Sequence, residues 1–302
     1  MLETVVTQLF NGLSTGSILV LVALGLAITF GLMGVINMAH GELLMVGAYV
    51  TYLSQNFFTA YAPQYQGWAF VVALPLAFGV AGLVGFLLEW SVIRFLYGRS
   101  LETLLATWGV SLIFQQLFRN LFGANNVDVQ SPSWLEGGIA LGDGLQFPFR
   151  RLFIILLAGL CVGGAYWFLN NTPWGLRIRA VTQNREMSAC LGISTRRVDA
   201  FTFALGSGLA GIAGCAVSLL GSVGPSSGLN YIVDAFMVVI LGGVGKIFGA
   251  VAGGVALGEA KTFLEFLTSS SLATALVFSL IILFLQIRPA GIFPQKGRGV
   301  DL

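Results

Sequence analysis

Gly31–Tyr49 reads GLMGVINMAHGELLMVGAY and contains the chain's single histidine, His40. Asn37, His40 and Glu42 fall within six positions, with Gly34, Gly41 and Gly47 interleaved. On either side the chain is apolar enough to cross a membrane, so this polar, glycine-rich stretch interrupts a span. Polar and ionisable side chains at membrane depth are costly and mark function by default. Irregular backbone there must be buried in protein or line a cavity. Two roles stay open for the three side chains: lining a solute path, or bracing the break between two helices.

Composition points the same way. The chain of 302 residues is 56% hydrophobic and 9% charged, against about 25% charged in soluble domains. Its mean hydropathy is +0.87. Forty glycines suit a polytopic bundle, in which small residues let helices approach closely. Cys161, Cys190 and Cys215 form no C-x-x-C pair and read as small apolar fillers. MLETVVTQLF has no Lys or Arg before the apolar region and no obvious cleavage site, so a secretory signal is not expected and the first helix should stay.

About 20 apolar residues cross the hydrocarbon as a helix. On that ruler spans are predicted near 8–33, 41–58, 68–92, 101–122, 151–170, 199–220, 231–243, 248–267 and 271–287. The segment 231–243 is short enough to be a half-span, so the expected fold is an all-α polytopic membrane protein of about eight or nine helices in one domain, 1–302. Gly41-x5-Gly47-Ala48 and Gly243-x5-Gly249-Ala250 raise a possible internal repeat. The glycines of Ala204–Cys215, ALGSGLAGIAGC, favour close helix contact.

Charge sets the orientation. The connection 171–198 carries Arg177, Arg179, Arg185, Arg196 and Arg197 against Glu186 alone, whereas 123–149 carries Asp128, Glu136 and Asp143. The positive-inside rule makes the first cytoplasmic and the second external. Arg94, Arg99, Arg288, Lys296 and Arg298 then lie inside, and nine crossings put the N-terminus outside. The external loop could form a small hairpin, with Trp134 at the interface. In the cytoplasmic connection, Pro173-Trp174-Gly175 ends a span, and Leu176–Ile193 is predicted as a short surface helix with Ala180, Met187 and Leu191 on one face. Gly192 should end it, and Ser194 can cap the next helix. It reads equally as a docking element for a partner or as a basic loop at the lipid surface.

No enzyme signature is present. One histidine argues against most histidine-based metal clusters, and no metal or other cofactor is expected in the chain. There is no Gly-x-x-x-x-Gly-Lys-Ser/Thr loop, and GGVGK at Gly242–Lys246 is too short to replace it. Any ATP and Mg would therefore belong to another subunit. The remaining charges take structural readings: Glu89 and Arg94 near a cytoplasmic helix end, Lys261 with Glu265 as an i,i+4 pair beside Glu259, and Asp234 at the start of a span.

GLMGVINMAHGELLMVGAYVTY resembles the hallmark segment of permease subunits from branched-chain amino acid and urea ABC importers. The likeness extends through TQNREMSACLGISTRRVDAFTFALGSGLAGIAG, FMVVILGGVGKIFGAVAGGVALG and IRPAGIFPQKGR, in family order over most of the chain. Met38 within INMAHGE and the ending RPAGIFPQKGR are similar to the urea branch, which makes urea the expected solute, with branched-chain amino acids or short amides as the alternative. The resemblance implies a multi-pass protein of the bacterial inner membrane. It also implies a homologous second permease, two ABC ATPase subunits and a periplasmic substrate-binding protein as partners, with lipid around them and no nucleic acid. It places Asn184–Ile193 in the helix that contacts an ATPase, with Arg177, Arg179, Asn184, Arg185, Glu186, Met187, Leu191 and Gly192 as coupling residues. The hallmark positions fall on Asn37, Ala39, His40, Gly41 and Glu42. Different classes of function remain as rivals: an ATPase-independent channel or secondary carrier, and a purely structural membrane scaffold.

Overall fold

Apolar runs separated by glycine, proline and charge produce helices at each place where the sequence predicts a span. The computed structural model describes residues 2–140 and 146–293, so Asp143, Lys296 and Arg298 lie outside the described residues. Among those described there are eleven α-helices. Nine are long: α1 Leu2–Met33, α2 His40–Tyr61, α3 Ala69–Ser91, α4 Ser100–Phe122, α5 Phe149–Asn171, α8 Thr195–Ser218, α9 Ser227–Gly242, α10 Ile247–Leu267 and α11 Ser270–Ile287. Six stretches, containing α1, α3, α5, α8, α10 and α11, are long and apolar enough to cross a membrane. The other three long helices are α2 and α4, which carry polar side chains inward, and the 16-residue α9.

The two short helices α6 Pro173–Gln183 and α7 Arg185–Cys190 occupy the basic connection. The single surface helix predicted there is therefore two, broken at Asn184, whose backbone is extended (φ −153°). Pro173 also starts a helix rather than only ending one, since its missing N–H is harmless in the first turn. Ser194 precedes α8 but its side chain caps nothing; its carbonyl accepts from Arg197 and Val198 N–H instead. The acidic connection forms the expected hairpin, β1 Gly138–Ala140 against antiparallel β2 Gln146–Pro148. Trp134 beside it is partly exposed and donates its indole N–H to the Gly67 carbonyl.

α1 and α8 are mostly buried, whereas α3, α5 and α11 turn much of their apolar surface outward, as lipid-facing helices do. Leucine, isoleucine and valine side chains from α1 meet alanines of α8 and aliphatics of α9 in the main core. Glycine closes two of the seams. Along α1 and α10, Gly16 faces Gly254 and Gly258, and Gly31 faces Gly245 in the turn before α10. Along α2 and α8, Gly47 meets Gly211, and Gly214 meets the Leu44 carbonyl. A β-carbon on Gly31, Gly47, Gly214 or Gly258 would strike backbone, so the approach needs glycine there.

The two glycine patterns sit on unlike elements. Gly41 is inside the first turn of α2 and packs on Gly228 at the start of α9, whereas Gly243 follows the end of α9 with a positive φ of 101°. The contact between Gly41 and Gly228 brings the N-terminal ends of two helices together.

Candidate functional site: the polar break and the basic connection

After Met33 the backbone leaves the helix at Gly34 (φ 69°) and resumes at His40. Side chains satisfy the freed groups. The Asn37 Oδ1 accepts from Ala39 N–H at 3.0 Å, and Thr107 Oγ1 of α4 accepts from Met38 N–H at 3.1 Å. His40 is fully buried and its Nε2 lies 3.2 Å from the Val22 carbonyl of α1, against Gly25. That geometry requires the tautomer protonated at Nε2, which donates. Glu42 faces the opposite neighbour, where its Oε1 accepts from Ser111 Oγ and Gln115 Nε2 of α4, both at 2.8 Å.

Asn37, His40 and Glu42 are thus all buried, but they serve three directions: the local turn, α1 and α4. The second oxygen of Glu42, Nδ1 of His40 and Nδ2 of Asn37 have no hydrogen-bond partner among the described residues. The arrangement pins the start of α2 between α1 and α4, and gives the bracing role a specific set of bonds. Thr107, Ser111 and Gln115 complete it. Their spacing of four along α4 is visible in the sequence, but nothing local links them to Glu42, some 70 positions earlier.

The basic connection is built in the same detail. Thr172 Oγ1 accepts from Gly175 N–H and caps α6, and Asn184 Oδ1 accepts from Met187 N–H at 2.9 Å and caps α7. Gly192, with φ 82°, ends α7 and lets Ile193 N–H reach the Ser188 carbonyl. Ile178 and Val181 anchor α6 on Leu169 of α5 and Val198 of α8.

The break at Asn184 divides the predicted apolar face: Ala180 lies half-buried on α6, while Met187 and Leu191 stay exposed, at 58% and 75%, on and just after α7. The basic residues also divide. Arg177 lies over the Trp174 ring, and Arg179 donates to Asn170 at the end of α5. Arg185 turns inward to pair with Asp199, whose side chain is 5% exposed, and stacks 4.8 Å from the Tyr97 ring. Tyr97 in turn donates to Glu89 of α3 at 3.1 Å. Burial, with the Asp199 and Glu89 carboxylates nearby, pushes the Tyr97 phenol upward and keeps it a protonated donor. Glu89 is therefore buried rather than open to water. Glu186, Met187, Ala189 and Cys190 of α7, and Leu191 just after it, are exposed.

A family model described as "Branched-chain amino acid transport system / permease component" matches residues 8–286. The chain belongs to this permease family. LivH of Escherichia coli K12, a high-affinity branched-chain amino acid transport system permease protein, is 30% identical over 295 residues and covers 94% of each chain. BraD of Pseudomonas aeruginosa, of the same description, is 28% identical over 291 residues, again with 94% of each chain covered. LivM of E. coli K12 is 26% identical, covering 92% of this chain and 68% of its own length. No solved structure matches the chain. The permease is a multi-pass protein of the inner membrane, and its relatives are transport subunits rather than enzymes. The names of these three relatives carry branched-chain amino acids and not urea.

Proposed function

We propose that the chain lines the membrane path of an ATP-driven importer whose solute is a branched-chain amino acid. The observation that carries this reading is end-to-end similarity to permeases named for that transport. A homologous second permease, two ABC ATPase subunits holding ATP and Mg, and a periplasmic binding protein would complete the assembly. The exposed side of α7, with Glu186, Met187 and Leu191, suits a groove on an ATPase. Motion there would pass through Arg185–Asp199 to α8 and through Tyr97–Glu89 to α3. Alternating access then follows from rocking of the helices packed on α8.

Urea is the second reading, favoured by Met38 in INMAHGE and by the ending RPAGIFPQKGR. Uptake by the complex reconstituted with its partners, comparing labelled leucine with urea in competition, separates the two. Leucine uptake that urea fails to compete supports the amino-acid reading, and urea uptake insensitive to leucine overturns it. ATP-independent movement of either solute by the chain alone in liposomes would overturn the importer reading itself.

A further inference from the structure

A cavity of about 470 Å³ opens between α1, α8, α9 and α10, within the roughly 300–1,000 Å³ range of small-molecule sites. Its mouth is formed by Asn126 and Ser222, which bond to each other at 3.4 Å beside the Val127–Val223 bridge. That end adjoins the acidic connection, the face assigned to the outside by charge. Ser227, Asn230 and Asp234 recur at helical spacing along α9 and give the cavity one polar wall.

At this wall the Lys261 ammonium of α10 donates to Asp234 Oδ2 at 3.1 Å, the side chains being 22% and 8% exposed. Asp234 stands in the second turn of α9, not at its start, and Lys261 pairs with it rather than with Glu265, which accepts from Ser270. A buried ion pair is a poor cement, because apolar residues of similar volume hold as well or better. Ionisable groups inside a membrane protein that border a cavity belong by default to solute pathways. The bond to Asp234 uses one of three lysine N–H donors, and the carboxylate keeps a second oxygen. The pair has no net charge, so a solute of zero net charge can enter without leaving a charge uncompensated.

We propose that this cavity is the outward-facing solute site of the permease. In it Asp234 receives the N–H donors, and Lys261 the carbonyl or carboxylate oxygen, of a small net-neutral solute. A zwitterionic amino acid and urea share this chemistry. The inference rests on the permease reading but not on which of the two is carried.

The test uses the complete complex in proteoliposomes, with labelled leucine and labelled urea as probes. Asp234→Asn should lower leucine uptake by about tenfold or more, because a charged partner of the ammonium is lost. It should lower urea uptake only a few-fold, since the amide oxygen still accepts; the two patterns identify the solute, and either supports the site. The exchange of both residues, Asp234→Lys with Lys261→Asp, should give a complex that assembles with the ion pair re-formed but does not take up solute. Full uptake by the exchanged pair would reduce it to a brace and overturn the proposal. Should the charge variants fail to assemble, Asn230→Cys leaves the pair intact. It should react with an impermeant maleimide from the outer face and be protected by excess free solute, and absence of protection overturns the site. Wild-type complex that moves neither probe would overturn the solute class, an outcome distinct from wild-type uptake that the variants leave unchanged.

Discussion

Truncating Arg185 to Ala should detach α7 from the bundle and disconnect ATP hydrolysis from uptake. Removal of the guanidinium leaves Asp199 buried without its partner, which for a fully buried pair costs about 3–5 kcal/mol. The Arg185 side chain is 45% exposed, so solvent screening brings the ionic part nearer the 1 kcal/mol of exposed pairs. The stacking on Tyr97 adds roughly 0.5–1 kcal/mol. The expected total is about 2 kcal/mol, or roughly 30-fold in the local opening of α7, at about 1.4 kcal/mol per tenfold. Amide hydrogen exchange over residues 185–192 in the purified complex reads that opening directly. Solute imported per ATP hydrolysed, measured in proteoliposomes, reads the coupling. Adding Asp199→Asn should recover part of the lost protection, because the orphaned charge is gone, but little of the coupling. If Arg185→Ala left both the exchange and the transport ratio at wild-type values, the mechanical link through Asp199 and Tyr97 would be refuted.

Four further substitutions, two for each, test the packing and the break. Gly47→Ala places a β-carbon 2.5 Å from the Gly211 Cα and should cost about 1–3 kcal/mol, seen as a lower thermal midpoint of the purified complex. Gly79→Ala in α3, with open space around the same position, should be neutral or slightly stabilising in that assay. For the break, His40→Leu should impair assembly by removing the bond to Val22, whereas His40→Gln can keep a donor there and should assemble and transport. A His40→Gln complex that assembled but failed to transport would move His40 from the brace to the solute path.

The positions of the helices were legible because apolar length is a local property, and α9 appears as the short segment that 231–243 implies. The hairpin in the acidic connection followed from its turn-rich sequence. Partners across the bundle were not legible. Lys261 has Glu265 one turn away, yet its charge is met by Asp234, 27 positions earlier, because α9 and α10 pack side by side. Arg185 looked like a surface cation in a basic loop. Asp199, one residue beyond the connection 171–198, is the signal of its inward partner. The break at Asn184 was concealed by strong helix formers on both sides, although Asn followed three residues later by Met187 marks a cap once the extended backbone at 184 is known.

The glycine seams have a mechanical consequence. Where Gly16 meets Gly258 and Gly47 meets Gly211, main chain rests on main chain, and no side chain can change rotamer to absorb a displacement. Such helix pairs resist shear and travel as rigid beams. Movement must then be taken up at compliant joints: the left-handed bends at Gly34 and Gly243, and the hydrogen bonds by which α4 hangs on the start of α2. Further along α4, Phe118 and Phe122 pack on Tyr49 of α2 through side chains, which unlike a glycine seam can change rotamer. The α2–α4 contact is therefore softer than the two glycine seams.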